Sequence, residues 1–228
     1  MSLSLLNPAP RRETLGANVL AQIKELLLTG QLMPGEQLSL RSTAEALGVS
    51  VMPVREAVYQ LVADHALEVA PNRSVRVPRL SATQFREITR IRLQMEGFAA
   101  AEAATHADAC LIAELQALNA QLAAAMAASE TDNANVVALN KAFHFSVYAA
   151  ARMPMLTKMI ESLWLRIGPV LNYDLRVGSE RTEKQIAVGH HAELIQALQA
   201  NDARQAQVAL CGDIESAFES IWQKQFSG

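Results

Sequence analysis

From Pro78 to its end the chain carries no strand pattern, only apolar rows recurring every three or four residues, and no other feature limits the fold as much. The rows cover about 82–106, 108–129, 134–151, 155–173, 182–200 and 202–225. Six helices joined by short links bury such stripes by packing on one another, so this part is expected to be an all-helical bundle. The ten glycines and eight prolines cluster near 30–35, 48–53, 71–78 and 168–189, which leaves the rows almost unbroken. Gly178-Ser179 and Gly189 mark a flexible lid or a helix start.

The first 78 residues read differently. Residues 1–12, with Pro8 and Pro10 and no periodicity, are expected to form a flexible arm. From Glu13 a helical row runs through Leu15, Val19, Ile23, Leu26 and Leu27, and Gly30 ends it. Leu32-Met33-Pro34-Gly35-Glu36 is a turn. A short helix from about 40 to 47 stops at Gly48, and Ser50 caps a second one running to about 65. Two helices joined by a few residues containing glycine make a helix-turn-helix. Leu67–Ala70 and Ser74–Val77 then flank Pro71-Asn72-Arg73 as a small hairpin. Three helices and a hairpin form a winged head over 13–78, and the chain is expected to be mostly α, with an all-α domain over 79–228.

Charge says less. A net charge of −3 gives no global signature of nucleic-acid binding, although Arg73, Arg76 and Arg79 lie within 71–79 without an acid. Arg79 reads as a solvated charge. Cys110 and Cys211 show no metal or disulfide spacing and are expected to be buried thiols in a reducing compartment. With no secretory leader and no run of about 18 apolar residues, the expectation is a soluble, cytoplasmic protein away from membranes.

In the bundle the informative residues are polar ones on apolar rows. Arg92 falls among Ile88, Met95 and Ala99; Asn140 among Val136, Phe143 and Val147, with His144 alongside; His191 among Ala187, Leu194 and Leu198; Asp213 among Ala206, Leu210 and Ala217. A buried charge without a partner is costly, so these residues imply mutual pairing or a ligand. Asn140 and His144 lie one turn apart and reach one point, which His191 and Asp213 could complete from facing helices. Such a set suits zinc, nickel or manganese, and a self-contained hydrogen-bonded cluster is the alternative. His190, one row over, is secondary. Trp164, Trp222 and Tyr173 could line a pocket or simply fill the core.

Pro34-Gly35-Glu36-Gln37-Leu38, Ala44-Glu45-Ala46-Leu47-Gly48-Val49-Ser50, Pro53-Val54-Arg55-Glu56-Ala57-Val58 and Leu61 together resemble the DNA-binding domain of the GntR family of bacterial regulators. That resemblance implies that Arg41, Ser50, Met52 and Arg55 meet DNA, with Arg73 and Arg76 in the wing. Arg55 is the expected base reader, because a guanidinium takes guanine O6 and N7 together. Where the family usually has arginine after the serine, this chain has Val51, which could touch a thymine methyl instead. Where it usually has a wing glycine, this chain has Ser74.

Arg92-x-x-Met95-Glu96, Asn140-x-x-Phe143-His144 and His191-x-x-Leu194-x-x-Ala197-Leu198 resemble the FCD effector domain of the family's FadR branch. Metal-binding members typically use one aspartate and three histidines, and the motif arginine faces the pocket. Here Asn140 takes the aspartate's place and Asp213 that of the third histidine. The expectation is an effector-controlled regulator: a homodimer on a palindromic double-stranded operator, repressing until a small organic acid bridges Arg92 and a metal. Two rivals are a metal-dependent enzyme using the bundle pocket, with His144, His191 and Asp213 activating water, and a sequence-neutral architectural DNA protein.

Overall fold

The computed structural model describes residues 15–128, 132–176 and 184–226, the side chains of 172–176 excepted. The expected arm over 1–12, the Gly178-Ser179 segment and the Tyr173 side chain lie outside the described residues.

In the head, α1 (Leu15–Leu28) is followed by β1 (Gln37–Leu38), α2 (Leu40–Leu47), α3 (Val51–Ala63), β2 (Glu68–Val69) and β3 (Val75–Arg76). Val19, Ile23 and Leu27 of α1 bury against Val54, Val58 and Leu61 of α3, each side chain contributing roughly 1.5–3 kcal/mol by leaving water. Ser39 caps α2 by accepting from the Ser42 amide, and Gly48 ends it at φ 64°, a left-handed conformation that suits glycine.

The wing has one strand more than the hairpin expected from sequence. β1 joins it in the order β1-β3-β2, all antiparallel, with Gln37 and Glu68 both opposite Arg76. Two residues are too short to show a period, and pairing with β3 creates the strand. At the wing tip Arg73, not Ser74, takes the left-handed conformation at φ 63°. Asn72 steadies the tip, its Oδ1 accepting from the Ser74 amide and hydroxyl.

The bundle comprises α4 (Ala82–Ala104), α5 (Ala109–Ala127), α6 (Asn133–Ala150), α7 (Pro154–Arg176), α8 (Ile186–Gln199) and α9 (Ala203–Gln225). Ser81 opens α4 with a capping box to Gln84, and Asp202 caps α9 through the Gln205 amide. α9 packs along α4 and α8, and α5 along α6 and α8. By length and hydropathy α5 is the one helix among the described residues that could cross a membrane, yet it carries Glu114, Gln116, Asn119 and Gln121 and buries Leu115 and Leu122 in the bundle.

Head and bundle share one apolar cluster, in which Leu27 and Leu28 join Ile160, Trp164 and Leu165. α1 lies on α7 so closely that a Cβ on Gly168 would stand 2.9 Å from the Leu27 carbonyl oxygen. Lys24 pairs with Glu161 at 2.9 Å beside this contact. The thiols differ from expectation: Cys110, on the outer side of α5, is exposed, and Cys211 is half-buried, donating to the Leu93 carbonyl at 3.4 Å.

Candidate functional site

On the head, Ser50 ends its chain segment in extended conformation and leads into the recognition helix α3 without using its hydroxyl as a cap. The free amides of the first turn, and the partial positive charge there, face outward beside it. Met52 and Arg55 are exposed on the same end, and Arg41 is exposed on α2. Val51 is half-buried, packing against the head core, so only part of it is available outside. In the wing Arg76 is tied to Glu68 at 2.5 Å, so its charge is already matched, whereas Arg73 stands exposed at the tip. Tyr59, two turns beyond Met52 on the same face and 62% exposed, was not singled out from sequence.

The bundle brings Arg92, His144, His191 and Asp213 together, each under 5% exposed. Nε2 of His144 lies 3.4 Å from Nε2 of His191 and 3.2 Å from Oδ2 of Asp213. Phe143 stacks on the His191 ring at 3.7 Å and fixes its plane. Asn140, a turn before His144, has a buried Oδ1 with no hydrogen-bond partner.

The proton inventory decides what these groups present to one another. The Arg92 Nε and Nη2 donate to Glu96 at 2.6 and 3.2 Å. Burial alone would lower the Arg92 pKa, but the charge of Glu96 and its hydrogen bond outweigh it and raise the value. Tyr148 spends its one hydroxyl proton on Glu96 at 2.5 Å. Burial, reinforced by Glu96, pushes that phenol well above the ordinary tyrosine range. The Tyr148 oxygen can then only accept, so His144 Nδ1, at 3.1 Å, must be its donor. Likewise Asn119 gives its amide N–H to the Val188 carbonyl at 3.2 Å and turns its oxygen to His191 Nδ1, also at 3.2 Å. With Nδ1 engaged in this way, each imidazole turns its Nε2 inward, toward the Asp213 carboxylate.

These three groups converge on one point, where a shared cation, a proton on His144 Nε2 or a metal ion, would hold them together. Their ligand atoms all fall within 4.8 Å of one another. Donors about 2.1 Å from a common ion stand roughly 3.0–3.4 Å apart at octahedral to tetrahedral angles, matching the two measured separations. The donor set fits a divalent metal, and Asn140 Oδ1 is an orphaned acceptor on the same helix turn.

Glu96, Tyr148 and Asn119 carried no role in the sequence reading. Asn119 was open to the same test as the other polar residues, since Leu115, Asn119 and Leu122 form a buried row on α5. Trp164 does border the site, its ring 5.4 Å from the His144 ring and 5.3 Å from Arg92 Cζ. Trp222 does not: it packs in a separate cluster with Phe218 and Phe226, beneath Arg86. His190 pairs with Glu193 at 3.3 Å outside the central group.

Residues 15–77 match the model of bacterial regulatory proteins of the gntR family, and residues 87–216 match the FCD domain. The chain belongs to the GntR family and carries an FCD domain. The HTH-type transcriptional regulator McbR of Escherichia coli is 34% identical over 202 residues, 89% of this chain and 90% of McbR. Its solved structure, described as McbR/YncC, superposes with a TM-score of 0.85, covering 92% of this chain and 98% of that one. The HTH-type regulator YdhC of Bacillus subtilis is 28% identical over 166 residues, 71% of each chain. A putative GntR regulator from Rhodococcus, 22% identical with a TM-score of 0.71, shares the fold, covering 91% of this chain and 97% of its own. This GntR protein is therefore an effector-controlled, DNA-binding transcriptional regulator, and the relatives are regulators rather than enzymes.

Proposed function

We propose that this GntR regulator is a homodimeric cytoplasmic repressor that releases a palindromic operator when a small organic acid reaches a divalent metal in the bundle. Residues 13–78 act as the reading head and 79–228 as the sensing and dimerisation domain. Arg41, Ser50, Val51, Met52, Arg55 and Arg73 form the DNA face, with Arg55 at the base edges; Arg76 joins only by leaving Glu68. His144, His191 and Asp213 hold the metal, with Asn140 as fourth ligand, and zinc, nickel or manganese suits this set. The metal would supply a Lewis-acidic point for a carboxylate, and Arg92 would offer the terminal nitrogen that Glu96 does not use.

The observation that carries this reading is the pair of inward Nε2 atoms, each imidazole held by a partner on Nδ1 and meeting a buried carboxylate. Metal analysis of the purified protein, with the double substitution of His144 and His191 by Ala, tests it. The metal and the effector response should vanish while operator binding persists. Undiminished metal content in the double variant would overturn the assignment.

A further inference from the structure

Two buried polar atoms among the described residues lack a partner: Asn140 Oδ1, which can only accept, and Trp164 Nε1, which can only donate. Both border the histidine–aspartate centre. A metal held at that centre would answer the first. Nothing among the described residues answers the second, although the Trp164 side chain is 3% exposed and its ring is held between His144 and Arg92. Buried indole N–H groups normally find an acceptor, so an orphaned one beside a cation-ready centre is a position waiting for an oxygen.

We propose that Trp164 is an effector-recognition residue: its indole N–H donates to the carboxylate that the metal centre draws in. This rests on the metal and organic-acid reading above and deepens it by naming the donor.

The charges agree. Arg92 and Glu96 neutralise each other, and Asp213 offsets half of a divalent ion, which leaves one positive charge in surplus inside an apolar shell. That surplus selects a carboxylate over a neutral ligand. One carboxylate oxygen meets the metal; the other, with a free lone pair, meets the indole. A thiol or amine ligand to the same metal would leave the Trp164 N–H unanswered. The site therefore prefers carboxylic acids even among good metal ligands.

The tryptophans at 164 and 222 are the only two, so protein carrying ¹⁵N-indole label gives two N–H signals, and Trp222→Phe assigns them. Zinc-loaded protein is titrated with acetate, lactate, succinate and citrate. The Trp164 signal should move downfield on saturation with the acid that binds, while that of Trp222 stays. Calorimetry on Trp164→Phe, which keeps an aromatic ring but not the donor, should show unchanged zinc affinity and about tenfold weaker acid binding. An acid that binds without moving the Trp164 signal, or that binds Trp164→Phe as tightly, overturns this inference alone. Failure of every acid to bind zinc-loaded wild type overturns it together with the organic-acid reading.

Discussion

Arg166 Nε donates to the main-chain carbonyl of Asp64 at 3.2 Å, and Asp64 is the residue that closes the recognition helix. A guanidinium at a helix C-terminus meets the negative end of the dipole as well as a spare carbonyl. Arg166 stands two residues after Trp164 on α7, so one helix touches the histidine–aspartate cluster on one face and the end of α3 on another. Beside it a cleft of about 360 Å³, lined by His65, Pro78, Leu80 and Leu163 among others, separates head from bundle.

Arg166→Gln should therefore weaken communication more than binding. Operator affinity without effector and effector affinity without DNA are expected to stay near wild type, while the coupling between them drops by about 1 kcal/mol. Operator titrations with and without saturating effector measure the difference directly. Full coupling in the variant would place the route elsewhere.

Arg55→Ala is expected to erase sequence discrimination at the base it reads, about 1–3 kcal/mol, with little change in affinity for random duplex. Competition binding between operator and random DNA checks this. Equal losses on both would make Arg55 a phosphate contact.

Glu96→Ala strands the Arg92 charge in the core and removes the acceptor that orients Tyr148. The expected cost is about 3–5 kcal/mol in urea denaturation. Adding Arg92→Met should recover part of it, because the two side chains act as a unit.

Gly168→Ala places a methyl 2.9 Å from the Leu27 carbonyl oxygen, a main-chain atom that cannot step aside. A loss of about 1–3 kcal/mol is expected, with the head loosening from the bundle before global unfolding. Hydrogen exchange along α1 should report it, and α3 should follow.

Tyr148 contributes to the alkaline limb of the stability curve. Its folded pKa is raised by burial and then by Glu96, so the folded protein keeps a proton that the unfolded chain loses above the ordinary value of 10.0. Its contribution is complete below that pH and declines as pH rises toward the folded value. Tyr148→Phe should flatten the stability curve in that window, and phenolate absorbance of the native wild type should show one tyrosine titrating late.

The sequence made the polar intruders visible because a helix writes burial into a fixed period: Arg92, His144, His191 and Asp213 all lie inside, where their rows put them. The rows do not say which buried groups answer one another across helices. Glu96 and Tyr148 sat in view one turn from Arg92 and His144, yet their roles depend on α4 meeting α6. Trp222 was open either way and fills a core, since an aromatic on a helix is compatible with either of two apolar clusters. β1 and the left-handed Arg73 were illegible for another reason: pairing to β3 and a tight turn impose them against weak local preference.

Val51, half folded into the head core at the first position of α3, stands where the resemblance to the family's reading head would place an arginine. Each phosphate neutralised by a protein cation releases condensed counterions, so a complex missing one such contact has a salt slope shallower by about 0.9. Promoter occupancy by this regulator should then drift less as the cell's ionic strength swings with osmotic load.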